Sequence, residues 1–250
     1  MTQTEAVPPQ DQAAVVTGAS SGIGEAIAKA LLERGLTVVA LQRTAPAFAH
    51  PRLCFRPIDL GDLEATRSLA ASLATDFPVR YLVNNAGVNR PAALQDATID
   101  DVRHVTAVTL GAAMLLMQAF VPGMRAARFG RIVSISSRAI LGKSQRAVYS
   151  SAKAGLIGMT RSVAIEVGGD GITVNAVVPG PVETALFTRG HPLGSAKRRT
   201  VIDSVLVKRV GTPWDIARAV LFLLDRESGF ITGQALFVCG GTSVTGTGGA

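Results

Sequence analysis

Seven short runs in this chain, at 13–16, 37–41, 53–58, 81–83, 131–135, 172–177 and 235–238, are predominantly apolar and rich in valine, isoleucine and leucine. A strand with one wet face alternates polar and apolar residues. These runs do not, so a strand made from any of them has to bury both faces. The longer stretches at 23–34, 63–75, 98–128, 147–167 and 213–224 carry apolar residues at helical spacing, and the last begins with Thr212 as N-cap and Pro213 at the first helical position. Buried strands alternating with helices predict an α/β chain, a doubly wound domain with a mostly parallel sheet of about seven strands flanked by helices.

At 250 residues, with 48% hydrophobic and 17% charged residues, the chain suits one domain with one core. We place that domain at 12–242, with flexible tails at 1–11, where Pro8 and Pro9 adjoin, and at 243–250, which is dominated by Gly and Thr. The start does not read as a signal peptide, and charged or glycine residues interrupt the apolar stretches, so a cytoplasmic protein with no membrane partner is expected. The net charge of +7 raises the question of nucleic acid, but Lys197-Arg198-Arg199 has no interleaved aromatics and only 5% of the chain is aromatic. A stacking platform is therefore missing, and no nucleic-acid partner is expected. Cys54 and Cys239, far apart in apolar runs, offer neither a disulfide framework nor a metal-ligand spacing. His50, His104 and His191 form no metal motif, so we expect no metal site, reduced thiols and surface histidines.

Directly after the first apolar run come Thr17, Gly18, Ala19, Ser20, Ser21, Gly22, Ile23 and Gly24, and then a helix. Glycines there permit a tight strand-to-helix turn and let backbone N–H groups and the positive helix end approach a pyrophosphate. A glycine-rich turn can exist merely to turn the chain; this one opens a strand–turn–helix unit at the head of the sheet, the context that dinucleotide binding requires. The second strand ends at Gln42, Arg43 and Thr44, where an acidic residue would suit the ribose 2′-hydroxyl of NAD(H) and an arginine suits a 2′-phosphate. NADP(H) is the favoured cofactor, with NAD(H) possible.

Tyr149 and Lys153 lie four apart in a helical stretch, so phenol and ammonium share one face. The chain has only five lysines, which makes the spacing uncommon by chance. For a phenol of pKa about 10 to ionise near neutrality, about 4 kcal/mol has to be supplied. A solvated ammonium at about 4 Å supplies only about 1 kcal/mol, but about 4 kcal/mol at an effective dielectric near 20. A working site of this kind is partly dry.

These motifs, with Asp59-Leu60, Asn84-Asn85-Ala86-Gly87, Ser136-Ser137 and Pro179-Gly180 through Thr184 in the same order, resemble those of the short-chain dehydrogenase/reductase family from about Gln12 to Gly241. The resemblance implies a single Rossmann-type domain and an NAD(P)(H)-dependent oxidoreductase of a small carbonyl or alcohol substrate, such as a ketone or 3-oxoacyl compound. It implies Tyr149 as general acid or base, Lys153 holding the nicotinamide ribose and lowering the phenol pKa, and Ser137 hydrogen-bonding the carbonyl oxygen. Ser136 competes for that last role, because the serine-to-tyrosine spacing varies among relatives. It further implies that Asp59 and the backbone of Leu60 contact the adenine, that Asn85, Ala86 and Gly87 line the adenosine ribose and sheet floor, and that Val182 and Thr184, after Pro179 and Gly180, hold the carboxamide. A homotetramer, or a homodimer, is implied through the helices 98–128 and 147–167 and the closing strand.

Two departures stand out. Thr109 occupies the place where many relatives have an asparagine supporting a water relay, and Cys239 precedes Gly240-Gly241 where relatives usually have Asp. The first puts the proton route in question and leaves open a catalytically silent, cofactor-binding regulator; the intact serine, tyrosine and lysine argue against it. A different reaction on the same scaffold, such as dehalogenation or epimerisation, is opposed by the intact glycine turn. The stretch 186–192 reads as a mobile flap, and Arg138, Lys143 and Arg146 suggest either an anionic substrate or solvated surface charge.

Overall fold

The computed structural model describes residues 12–245; the tail placed at 1–11 and the last five residues of the tail placed at 243–250 lie outside the described residues. Seven strands form one sheet in the order β3-β2-β1-β4-β5-β6-β7, every pair parallel. They are β1 (Ala13–Thr17), β2 (Thr37–Gln42), β3 (Leu53–Pro57), β4 (Val79–Asn84), β5 (Gly130–Ile135), β6 (Ile172–Pro179) and β7 (Ala235–Val238). The helices are α1 (Gly22–Glu33), α2 (Leu63–Asp76), α3 (Ile99–Thr106), α4 (Ala112–Ala126), α5 (Ala147–Val167), α6 (Ala185–Gly190), α7 (Ala196–Ser204) and α8 (Pro213–Leu224). Each of the seven apolar runs becomes a strand, and the sheet is wholly parallel.

The reason the runs do not alternate is visible in where they point. Ala14 and Val16 of β1 and Val38 and Ala40 of β2 pack with Ile27 and Leu31 of α1 and Ile216 and Val220 of α8. Ala13 and Val15, with Val39 and Leu41, pack on the opposite face with Leu73 of α2, Leu116 and Phe120 of α4, and Leu156 of α5. Successive side chains go to opposite faces, and both faces are core. Thr212 caps α8, its hydroxyl accepting from the Asp215 amide while the Asp215 carboxylate accepts from the Thr212 amide, and Pro213 opens the helix.

Two segments differ from the sequence-based expectation. The single helix predicted over 98–128 is interrupted by one π-helical turn, Ala107–Gly111, centred on buried Thr109. A π turn inserts one residue into the repeat, which apolar periodicity cannot display. The whole stretch Ile99–Ala126 is long and apolar enough to cross a membrane by composition, but half of its most apolar part is buried in the protein. Of the stretch 186–192 expected as a flap, residues 186–190 lie in the short helix α6, with α7 following from Ala196. Thr184 and Ser195 cap these helices, Phe187 stacks on His191 with ring centres 4.4 Å apart, and Arg198 pairs with Glu183. The ion pair joins residues fifteen apart, too far in sequence to be read as one unit.

The strand order reverses direction between β1 and β4, and a crevice forms there at the carboxyl ends of the strands. Buried Thr17, at the end of β1, closes it. Its hydroxyl accepts from the amides of Asn85 and Ala86, each at 2.9 Å, and the Asn85 carboxamide donates back to the carbonyls of Thr17 and Gly18 at 2.9 and 3.0 Å. Thr17→Val keeps the volume but leaves two amides without acceptors, so it should lower stability by about 1–3 kcal/mol in urea unfolding. Thr17→Ser should cost under about 1.5 kcal/mol; equal losses in the two variants would show that the hydroxyl is not what holds the crevice.

Candidate active site

A cleft of about 580 Å³ runs along the ends of β1, β2 and β4. Gly18 and Gly22 adopt φ of +68° and +59°, which turn the chain sharply into α1. At Gly24 a Cβ would lie 2.1 Å from the Gly18 carbonyl oxygen, so no side chain fits. Ser21, the N-cap of α1, makes no side-chain capping bond, and the first amides of the helix remain available to an anion. Ser20, Ile23, Asp59, Leu60, Asn85, Ala86 and Gly87 line the same cleft, and Arg43 and Thr44 stand at its outer corner. This cradle, with its open helix end, fits a dinucleotide phosphate.

A second cavity of about 600 Å³ adjoins the first, and Ile23, Asn85, Gly87 and Thr184 line both. Ser137, Tyr149, Lys153, Pro179, Gly180 and Val182 line the second. Every residue expected from the sequence to be catalytic or to bind the cofactor therefore borders one of two connected spaces. Tyr149 and Lys153 sit one turn apart near the start of α5, which brings them under the end of β5. The Ser137 hydroxyl lies close enough to the Tyr149 phenol to favour its ionised form, and it accepts from the Ala139 amide at 3.2 Å. Ser136 is buried and donates to the Lys153 carbonyl at 2.8 Å, fastening α5 to β5. Of the two serines, geometry sets Ser137 beside the phenol.

Lys153 is 3% exposed, donates to the Ile135 carbonyl at 2.7 Å, and has no carboxylate partner among the described residues. Burial pulls its ammonium down to about 8. Two of its three N–H donors remain unspent beside Gly87, where a Cβ would come within 2.9 Å of Nζ. Its Nζ lies 5.9 Å from the Tyr149 ring centre, drawn toward the Ile135 carbonyl. Burial consequently holds the phenol above its ordinary value, with Ser137 and then Arg146 acting in the opposite direction. Thr109 is 1% exposed and its hydroxyl has no partner among the described residues; a Cβ at Gly87 would lie 3.9 Å from it. A polar group thus stands near the lysine, with one hydroxyl in place of a carboxamide. Cys239 is buried against Gly180, its thiol 3.2 Å from the Ser243 hydroxyl.

Sequence reasoning missed Gln42, His104 and Arg189. Gln42 accepts from the Ala19 amide at 3.0 Å and so pins the glycine turn; a polar side chain ending an apolar strand was its signal. His104, expected on the surface, lines the dinucleotide cleft, and Arg189 of α6 reaches both spaces.

A family model described as enoyl-(acyl carrier protein) reductase matches residues 18–243. Among curated proteins, the chain is 37% identical over 245 residues to the (2S)-[(R)-hydroxy(phenyl)methyl]succinyl-CoA dehydrogenase subunit BbsD of Thauera aromatica, covering 94% of this chain and 98% of that protein. It is 36% identical over 238 residues to the 3-oxoacyl-[acyl-carrier-protein] reductase FabG of Vibrio harveyi, covering 91% and 96%. Among solved structures, a protein of Beutenbergia cavernae provisionally named an NAD(P)-dependent gluconate 5-dehydrogenase, with NADP bound at low occupancy, superposes with a TM-score of 0.84 at 34% identity, covering 92% of this chain and 96% of that one.

The buried ammonium carries a stability cost. Lys153 titrates near 8 in the folded chain against 10.5 in its ordinary state, a difference worth about 3 kcal/mol. Below pH 8 the group is charged in both states and the full cost is present. Between 8 and 10.5 the folded lysine sheds its proton while the unfolded one keeps it, and the cost falls away. Lys153→Met should accordingly be more stable than the parent at pH 7 by about 1–3 kcal/mol in urea titrations, with the advantage shrinking as pH approaches 10.5. A variant no more stable than the parent at pH 7 would contradict this.

Proposed function

The chain belongs to the short-chain dehydrogenase/reductase family, and on that premise we propose that it is an NADPH-preferring reductase of a ketone or 3-oxoacyl substrate, with Tyr149 as the proton donor. It is an NAD(P)-dependent oxidoreductase acting on a CH–OH or C=O group. The observation that carries the finer reading is the Ser137–Tyr149 pair facing the second cavity beside buried Lys153. When bound, the nicotinamide supplies the hydride or accepts it.

The protein's own contribution follows from the environments of its side chains. The amides opening α1 and the glycines of the turn hold the pyrophosphate, and Lys153 spends its free N–H groups on the nicotinamide ribose. Asp59, Leu60, Asn85 and Ala86 line the adenosine end, and Val182 and Thr184 hold the carboxamide. Arg43, at a corner of the cleft without a neighbouring acidic residue in the turn 42–44, takes the 2′-phosphate. Ser137 hydrogen-bonds the carbonyl oxygen and orients it toward Tyr149. A phenol raised by burial stays protonated at neutral pH, which is the state that donates a proton to a reduced carbonyl. This supports reduction over oxidation near pH 7.

Exposed apolar side chains on α5 (Ile165) and β7 (Leu236, Phe237) support a homotetramer, which sedimentation of the purified protein tests. The free cysteines suit a reducing compartment such as the cytoplasm.

NADPH should outperform NADH in reduction of a panel of ketones, diketones and 3-oxoacyl thioesters, and Arg43→Ala should erase most of that preference, by about tenfold or more. Tyr149→Phe should lower kcat by roughly a hundredfold to ten-thousandfold with cofactor affinity retained. Tight cofactor binding with no turnover anywhere in the panel would sink the reductase reading. The rate of reduction should be level through neutral pH and decline above about 8, where Lys153 loses its charge, while alcohol oxidation gains as pH rises.

A further inference from the structure

The turn joining the reacting serine to the reacting tyrosine is basic. Arg138, Lys143 and Arg146 lie on it and line the second cavity, together with Arg189 from α6, and no acidic side chain lines that cavity. The contrast with the rest of the molecule is sharp. Nine ion pairs are formed among the described residues, and none involves a residue of this cavity. Among the described residues the Arg146 side chain makes one hydrogen bond, to the Gln145 carbonyl at 3.0 Å, and the Arg138 and Lys143 side chains make none.

The turn is held in one shape. Gln145 adopts φ of +58°, a conformation that side chains rarely take, and its carbonyl is fixed by the Ala92 amide at 3.2 Å. The three cations are close enough to act on each other: the Lys143 ammonium is pushed down by partial desolvation and then by Arg138 and Arg146. Arg146 also acts on the Tyr149 phenol. Like charges gathered on a fixed turn beside the phenol, with no protein anion to balance them, ask for the anion from the ligand.

We propose that the substrate is an anion, a carbonyl compound whose carboxylate or phosphate lies against Arg138, Lys143 and Arg146 while its carbonyl faces Ser137 and Tyr149; the proposal rests on the reading of the second cavity as the substrate site. The shared chemistry is a charged oxygen group. It could belong to an oxo acid itself or to a phosphate-bearing carrier in thioester linkage.

The test uses matched pairs with the purified full-length enzyme: an oxo acid against its methyl ester, and a 3-oxoacyl thioester of coenzyme A against that of N-acetylcysteamine. In at least one pair the charged member should have the higher kcat/KM by about tenfold, the scale of one charge-assisted hydrogen bond, with the difference carried by KM and reduced by added salt. Preference in the first pair assigns the carboxylate; in the second, the phosphate. The triple variant R138Q/K143Q/R146Q should bring the ratio close to one, and Lys143→Gln alone, at an exposed position, should lower it in a protein that melts like the parent. Arg103→Gln, an exposed cation already paired with Asp100, should leave the ratio where it was. Equal treatment of both pairs by the parent enzyme, or a preference that survives the triple variant, would overturn the proposal.

A second arm needs no turnover. Calorimetric binding of glutarate and of free coenzyme A to the NADP⁺-loaded protein should be measurable for at least one probe and be lost in the triple variant. Binding lost in that way alongside an inactive carbonyl panel would leave the anion site standing and bring down the reductase reading; absence of binding for both probes would bring down the anion site alone.

Discussion

The hydrogen-bonded stitch between Thr17 and Asn85 is what the remainder of the active region hangs on. β1 and β4 are neighbours in the sheet although two strands and two helices separate them in the chain, and their crossovers leave in opposite directions. Such a point opens a crevice by topology alone. The stitch sets its width: one threonine hydroxyl holds two amides from the far side, and one carboxamide holds two carbonyls from the near side. Gly24 can approach Gly18 and Asn85 only because it has no side chain, and Gln42 fixes the same turn from β2. The dinucleotide cleft is therefore a consequence of strand order, trimmed by a few side-chain bonds.

The second cavity is built around the opposite kind of feature, a buried amine with no carboxylate partner among the described residues. Lys153 is buried with one carbonyl for company, and its neighbour across the cavity wall, Thr109, carries a hydroxyl with no partner. An apolar pair in these positions would be more comfortable for the protein alone. Ser136 shows how close a structural role can lie to a chemical one: it ties down the lysine's backbone, while the next serine along meets the phenol.

Much of this was legible in the sequence, for physical reasons that also explain the gaps. Runs buried on both faces announce a parallel sheet because water leaves no alternative pattern, and a tyrosine four residues before a lysine on a helix announces a shared face. Ser136 and Ser137 were harder, since both are small and polar and adjacent, and only the folded chain turns one to the Lys153 carbonyl and the other to the phenol. The π turn at Ala107–Gly111 was invisible because one added residue shifts the helical register without ending the helical, mostly apolar stretch around it. The 185–204 region looked loose because its order comes from caps and a Glu183–Arg198 pair spanning fifteen residues, not from apolar periodicity. Gln42 and Arg189 became recognisable only once the cleft existed.

The turn from Arg138 to Arg146 bears on how such a chain can change over generations. It adds no strand to the sheet, and its Lys143 is exposed, so exchanging that charged side chain should shift folding stability by no more than about half a kilocalorie per mole. Yet it is bounded by Ser137 and Tyr149, whose hydroxyls border the second cavity. Selection can therefore rewrite what the cavity accepts without approaching the stability threshold that guards the core. The scaffold separates inheritance of the reaction from inheritance of the substrate, and diversification into many specificities is the expected fate of a lineage built this way.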